Sequence, residues 1–210
     1  MKLPMQVETG IRAILKAPLV YEAWQSAIGA NRKRNIQRDD YIRPFKGMKI
    51  FDIGCGPAEI LNHLDDVKYL GADLSAAYID QAKNKYGEKG EFFVGSADAL
   101  PLREEKFDLV MALGLLHHLE DDECIALFET AKKQLVKNGR MMTFDGVFTE
   151  KQSTLARFFL NKDRGQNVRF AEGYTSLAKM VFGEDNVIFH LRTDMTNIPY
   201  THIIMECTAT

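Results

Sequence analysis

The sequence predicts a doubly wound α/β fold: a seven-stranded sheet, mostly parallel, with an antiparallel strand pair at the C-terminus and helices at the N-terminus. Three observations predict it. From Lys49 onward, short apolar runs alternate with helical patterns, as expected for a parallel sheet with right-handed crossovers. The run "FDLVMALG" from Phe107 is almost continuously apolar, like a strand covered on both faces. Near the C-terminus, "NVIFHLRTDM" and "THIIMECTAT" are separated by only a few residues around Asn197-Ile198-Pro199-Tyr200. Parallel neighbours need a crossover of about a dozen residues or more, so these two must run antiparallel.

Each element has a local reason. Residues 11–43 read as helical, in two pieces broken near Gly29. "KIFDI" is the first strand and "AEILNHL" a short helix; "VKYLGADL" is the second strand. "SAAYIDQAKNKYG" is a helix with Ser75 as N-cap and Gly87 as stop. "EFFVG" and "FDLVMALG" are the third and fourth strands. "DDECIALFETAKKQLVKNG" is a long amphipathic helix with acids first and lysines last, matching its dipole. "RMMTFDGVF" is the fifth strand; helical "LARFFL" and "SLAKMVFG" precede the final pair.

Composition bounds the function. A chain of 210 residues suits one domain of ordinary size. The net charge of −2 argues against a duplex nucleic-acid binder. Cys55, Cys124 and Cys207 have no metal-like spacing and read as free thiols of a reducing compartment. The N-terminus shows no signal-peptide pattern, and no apolar run approaches the roughly 20 residues that span a bilayer. The expectation is a cytoplasmic protein with no membrane span and no nucleic-acid partner.

The turn "DIGCGPAEI" carries the first chemistry. Glycine between strand and helix leaves backbone N–H groups bare toward a ligand. A dinucleotide is a poor fit. The Rossmann fingerprint wants a small residue where Glu59 stands, and Asp52 would sit beside a pyrophosphate. Asp52 suits a cationic group instead. Asp73 ends the second strand, where a carboxylate can bind a ribose diol. Asp98, after the third strand, can accept from an exocyclic amine, and Leu113 ends the fourth strand. All lie at carboxyl ends of strands, where open α/β sheets bind ligands. A ribose, an amino-bearing base and a cationic end without need of phosphate describe S-adenosylmethionine.

The stretches "FDIGCGPAEI", "YLGADLS", "GSADALPL" and "FDLVMALGLLHHLEDD" also resemble, in order and spacing, the signatures of class I S-adenosylmethionine-dependent methyltransferases of the small-molecule type, which have a Rossmann-like fold. The resemblance covers roughly residues 45–148. It implies an N-terminal helical lid over 1–46, a cofactor-binding core over 47–148 and an acceptor-side segment with the strand pair over 149–210, all in one domain. It also implies roles. Gly54, Cys55 and Gly56 would line the methionine part and Asp52 would hold its ammonium. Asp73 would bind the ribose, Leu74 would pack on adenine, and Ala97 and Asp98 would bind its edge. The Leu113 carbonyl would face the ammonium.

The expected product is S-adenosylhomocysteine and the acceptor a small or mid-sized molecule, with no metal implied. His117 and His118 follow the fourth strand and are the candidate bases, although either can serve only the loop's own hydrogen bonding. Tyr21, Arg164, Arg169 and Tyr174 are the candidate acceptor contacts. The basic stretch "NRKRNIQRDDYIR" reads as a solvated helix face or as a lid attracting an anionic acceptor. Two rival functions remain: a non-catalytic cofactor-binding protein, and an NAD(P)-dependent reductase. The reductase is disfavoured because none of the seven tyrosines has a lysine four residues on.

Overall fold

The structure, a computed structural model, describes residues 29–96, 106–161 and 165–210. Helix α1 (Ala30–Ile36) has Gly29 as its N-cap, at φ 81°, and runs into a wide π turn, Gln37–Ile42; the helical piece expected before Gly29 lies outside the described residues. The remaining elements are β1 (Lys49–Ile53), β2 (Lys68–Asp73), α2 (Ala76–Tyr86), β3 (Gly90–Val94), β4 (Phe107–Leu113), α3 (Asp121–Gln134), β5 (Leu135–Gly146), α4 (Thr154–Asn161), α5 (Ala171–Phe182), β6 (Val187–Arg192) and β7 (His202–Thr208). They build a seven-stranded sheet in the order β3-β2-β1-β4-β5-β7-β6. Strands β1 to β5 pair in parallel. β7 pairs antiparallel with both β5 and β6, as the short connection between the last two strands requires.

Period-two alternation splits the core between the two faces of the sheet. Phe51, Ile53, Val110 and Ala112 pack with Leu127 and Phe128 of α3 and Leu177 of α5. Their neighbours Ile50, Leu109 and Met111 pack on the other face, with Ile79 and Ala82 of α2 and Tyr41 and Ile42 of the π turn. β4 is buried on both faces, which explains its unbroken apolar run.

Three boundaries differ from the sequence reading. Helix α3 ends at Gln134, because "LVKNG" is captured by the sheet: Leu135 pairs with Phe107, and Asn138 (φ 62°) and Gly139 exchange backbone bonds with Ala209. "AEILNHL" is a single 3-10 turn, Glu59–His63, launched from Ala58 at φ 55°. Helix α5 starts at Ala171 rather than Ser176, which places Tyr174 on its buried face.

Gly71 marks a close approach. A Cβ there would lie 2.8 Å from Cys55 Sγ and 3.0 Å from Phe92 Cδ1. Gly71→Ala should destabilise the chain by about 1–3 kcal/mol through overpacking. A lowered denaturant midpoint at constant slope would show it, and an unchanged midpoint would mean that the glycine turn yields without strain.

Candidate functional site

Where β1, β4 and β5 end, the structure holds a cavity of about 450 Å³. Its floor is the turn after β1. Gly54 (φ 72°) and Gly56 (φ 53°) both adopt the left-handed conformation that glycine tolerates best. Gly54 and Cys55 donate their N–H groups to Ala72 O at 2.8 and 2.9 Å, which fastens the turn to β2. A Cβ on Gly56 would meet nothing within 4 Å, so the backbone here is bare toward open space.

Asp52 lines the cavity and is 2% exposed. Its Oδ2 accepts from Tyr69 O–H at 2.6 Å, while its Oδ1 is buried without a partner. Burial pushes its carboxyl pKa up to about 7, against the Tyr69 hydrogen bond, with nearby Asp73 adding to the rise. A buried acid with an orphaned oxygen beside bare backbone fits the cationic end of S-adenosylmethionine. Asp73 is outside the cavity lining. Its carboxylate reaches the turn from β2, accepting from Gly56 N at 2.9 Å and Ser75 N at 2.8 Å. Leu74 beside it is 57% exposed. Leu113 and Gly114 complete the lining at the end of β4. Ala97 and Asp98 lie outside the described residues, as do Tyr21 and Arg164.

His117 lines the cavity and is buried; His118 is exposed, its ring 4.2 Å from that of His117. His117 Nδ1 lies 2.8 Å from Asp145 Oδ1, which also accepts the His117 backbone N–H at 3.2 Å.

Arg169 and Tyr174 do not line the cavity. The Arg169 guanidinium is bound to the loop that carries His117, donating to Leu116 O, Leu119 O, Asn167 O and the Asp121 carboxylate. Tyr174 is 1% exposed and donates to Gly146 O at 3.0 Å, and burial raises the pKa of its phenol.

Sequence reasoning missed Asp145, Tyr69, Tyr200 and His202. Asp145 stands at the end of the fifth strand in "TFDGVF", so the strand-end rule that selected Asp52 and Asp73 could have found it. Tyr200 and His202 gave no local signal. The cavity meets them because β7 inserts beside β5 and pairs His202 with Gly146. The His202 ring lies 4.6 Å from Phe144 and 4.7 Å from Tyr200, which makes an aromatic edge. Across the opening, Lys33, Arg34 and Gln37 enter from α1 and the π turn.

Residues 50–139 match the methyltransferase-domain family. The ubiquinone biosynthesis O-methyltransferase of Brucella anthropi is 32% identical over 105 residues, covering 48% of this chain and 41% of the relative. The enzyme of the same description from Chelativorans sp. is 31% identical over 105 residues, covering 48% and 40%. The match thus spans about two fifths of the length of these curated relatives.

The solved structures share the fold at low identity. Geranyl diphosphate methyltransferase in complex with S-adenosylmethionine has a TM-score of 0.69 at 14% identity, covering 95% of each chain. A Haemonchus contortus phosphoethanolamine N-methyltransferase bound to phosphomonomethylethanolamine and S-adenosylhomocysteine has a TM-score of 0.69 at 15% identity, covering 93% of this chain and 58% of that one. The [4+2]-cyclase SpnF has a TM-score of 0.69 at 13% identity, covering 88% and 82%. The glycine turn and the acids of β1 and β2 thus fall within residues 50–139, the segment that matches the methyltransferase-domain family, on a fold shared with methyltransferases solved in complex with S-adenosylmethionine or S-adenosylhomocysteine.

Proposed function

We propose that the chain transfers a methyl group from S-adenosylmethionine to a small or mid-sized acceptor by direct displacement. The observation that carries this reading is the cavity at the strand ends, where the orphaned Asp52 Oδ1 adjoins a glycine turn open to a ligand. The cofactor supplies an already activated methyl on its sulfonium. The tasks left to the protein are alignment and exclusion of water.

In this reading Gly54, Cys55 and Gly56 cradle the methionine half through backbone. Asp52 and the Leu113 carbonyl hold its ammonium. Asp73 takes the ribose on the β2 side and Leu74 covers the adenine, whose edge Ala97 and Asp98 would meet. Lys33 and Arg34 on one side of the opening, with the aromatic edge of Phe144, His202 and Tyr200, support an anionic acceptor. The fold is shared with a cyclase, so the fold alone does not carry methyl transfer. Tight cofactor binding without turnover would favour the second reading, a non-catalytic binding protein.

The protonation of Asp52 gives the test. A raised carboxyl pKa means that the stability Asp52 lends the free chain is fully present below the ordinary carboxylate range, near pH 4, and is lost as pH rises through about 7. An ammonium beside Asp52 favours the ionised form. S-adenosylhomocysteine binding at pH 6 should therefore release close to one proton (~0.9) per site, and almost none at about pH 8.5. Calorimetry in buffers of different ionisation enthalpy measures this number. Asp52→Asn should release none and bind more weakly at both pH values. Failure of wild type to bind S-adenosylhomocysteine, or equal release from the variant, would sink the assignment.

A further inference from the structure

Asp145 ends β5, is 1% exposed, and keeps one oxygen on His117 while its Oδ2 is buried without a partner. A carboxylate accepts and does not donate, so the 2.8 Å contact to His117 Nδ1 requires the proton to sit on Nδ1. The basic lone pair of the neutral ring is then on Nε2. A second bond, from the His117 backbone N–H to the same Oδ1, fixes the residue at two points.

The surrounding chain reserves room for this one ring position. A Cβ at Gly165 would fall 2.0 Å from His117 Cδ2, so only glycine lets the segment pass. Asn167 N–H donates to His117 O at 2.9 Å, and Arg169 ties down Leu116 and Leu119 on either side. An imidazole held through Nδ1 by a buried acid, at the edge of a cavity, has the arrangement of an oriented proton acceptor.

We propose that Asp145 is a positioning residue that holds His117 in its Nδ1–H tautomer, and that His117 accepts a proton from an acceptor that attacks through a proton-bearing atom, a hydroxyl oxygen. This rests on the methyl-transfer reading above. In the step, the hydroxyl oxygen forms its bond to the sulfonium methyl while its proton passes to His117 Nε2. The carbon–sulfur bond breaks with its electron pair going to sulfur, so S-adenosylhomocysteine leaves neutral. The imidazolium, stabilised by Asp145, returns its proton to water. An arenethiol acceptor, which gives up its proton to water near neutral pH, would have no need of this pair, and neither would a thioether.

The experiment has a spectroscopic and a chemical arm. Protein labelled with ¹⁵N in its histidine rings and saturated with S-adenosylhomocysteine is examined at pH 8. Wild type should show His117 as the Nδ1–H tautomer, and Asp145→Leu should show the Nε2–H form. An Nε2–H wild type, or a tautomer unmoved in Asp145→Leu, overturns the positioning role. In the second arm, 4-hydroxybenzoate and 4-mercaptobenzoate, matched in shape, serve as probe acceptors. Asp145→Asn keeps an acceptor for Nδ1–H but lacks the charge. It should lose on the order of 10²-fold or more on the hydroxyl probe, within the usual range for general-base catalysis. The same variant should stay within about threefold on the thiol. His117→Gln should repeat the pattern if Asp145→Asn folds poorly. Equal losses on both probes would mean that the pair is structural. Absence of S-adenosylhomocysteine binding to wild type would instead overturn the cofactor reading and the proposal with it.

Discussion

Asp73→Ala should weaken S-adenosylhomocysteine binding by at least about 100-fold. The expectation has two independent sources. A ribose diol would lose two hydrogen bonds to a charged acceptor, each worth roughly 1.5–3 kcal/mol, and about 1.4 kcal/mol is a decade of affinity. The structure adds a second loss. Asp73 Oδ2 accepts from Gly56 N and Oδ1 from Ser75 N, so its removal frees the far side of the glycine turn and the start of α2. Asp73→Asn retains one acceptor oxygen and should fall between wild type and alanine. Calorimetry on folded variants decides. If the alanine variant binds as tightly as wild type, Asp73 is only a turn residue and the ribose lies elsewhere.

Arg169→Ala should destabilise the chain by about 2–4 kcal/mol, since it breaks a cluster of charge-assisted bonds that ties Asp121 and two carbonyls of the His117 loop together. Five contacts depend on this guanidinium, two of them to Asp121 Oδ1 at 2.9 and 2.7 Å. Asp121 is largely exposed, which holds the loss below that of a fully buried pair. Arg169→Lys should rescue little, because an ammonium cannot span carbonyls and a carboxylate at once. Denaturant unfolding reads the effect. Unchanged stability with a raised acceptor KM would instead return Arg169 to the acceptor-binding role expected from sequence.

The difference between these two residues shows what was legible before the fold was known. Asp73 was selected because it ends a strand, and the end of a parallel strand is a place in a sequence pattern; the structure holds it at that end, bonded to the turn but outside the cavity lining. Asp52, Gly54 and Gly56 were selected the same way, each within a few residues of the apolar run that positions it, and they line the cavity. Arg169 was read as an acceptor contact because it stands in a polar stretch between β5 and the last strand pair. Its real partners, Leu116, Leu119 and Asp121, lie some fifty residues earlier, and no spacing rule connects them. Tyr174 was misjudged for a local reason. Helix α5 starts at Ala171, so a tyrosine expected in a loop faces the core.

The sequence by itself determined the succession of the strands along the chain, the antiparallel sense of the last pair, the glycine turn, and the acids at the ends of β1 and β2. Alternating apolar periods, glycine conformations and connection lengths are short-range properties, and they survive without knowledge of what packs against what. Only the tertiary structure decided which side chains share the cavity. β7 had to insert between β5 and β6 before His202 and Tyr200 could reach Phe144. The segment after α4 had to fold over the loop after β4 before Gly165 could admit the His117 ring beside Asp145. Those contacts join residues distant in the chain. They exist because burying both faces of one sheet brings its strand ends together, a constraint that acts on the whole chain and on no single stretch of it.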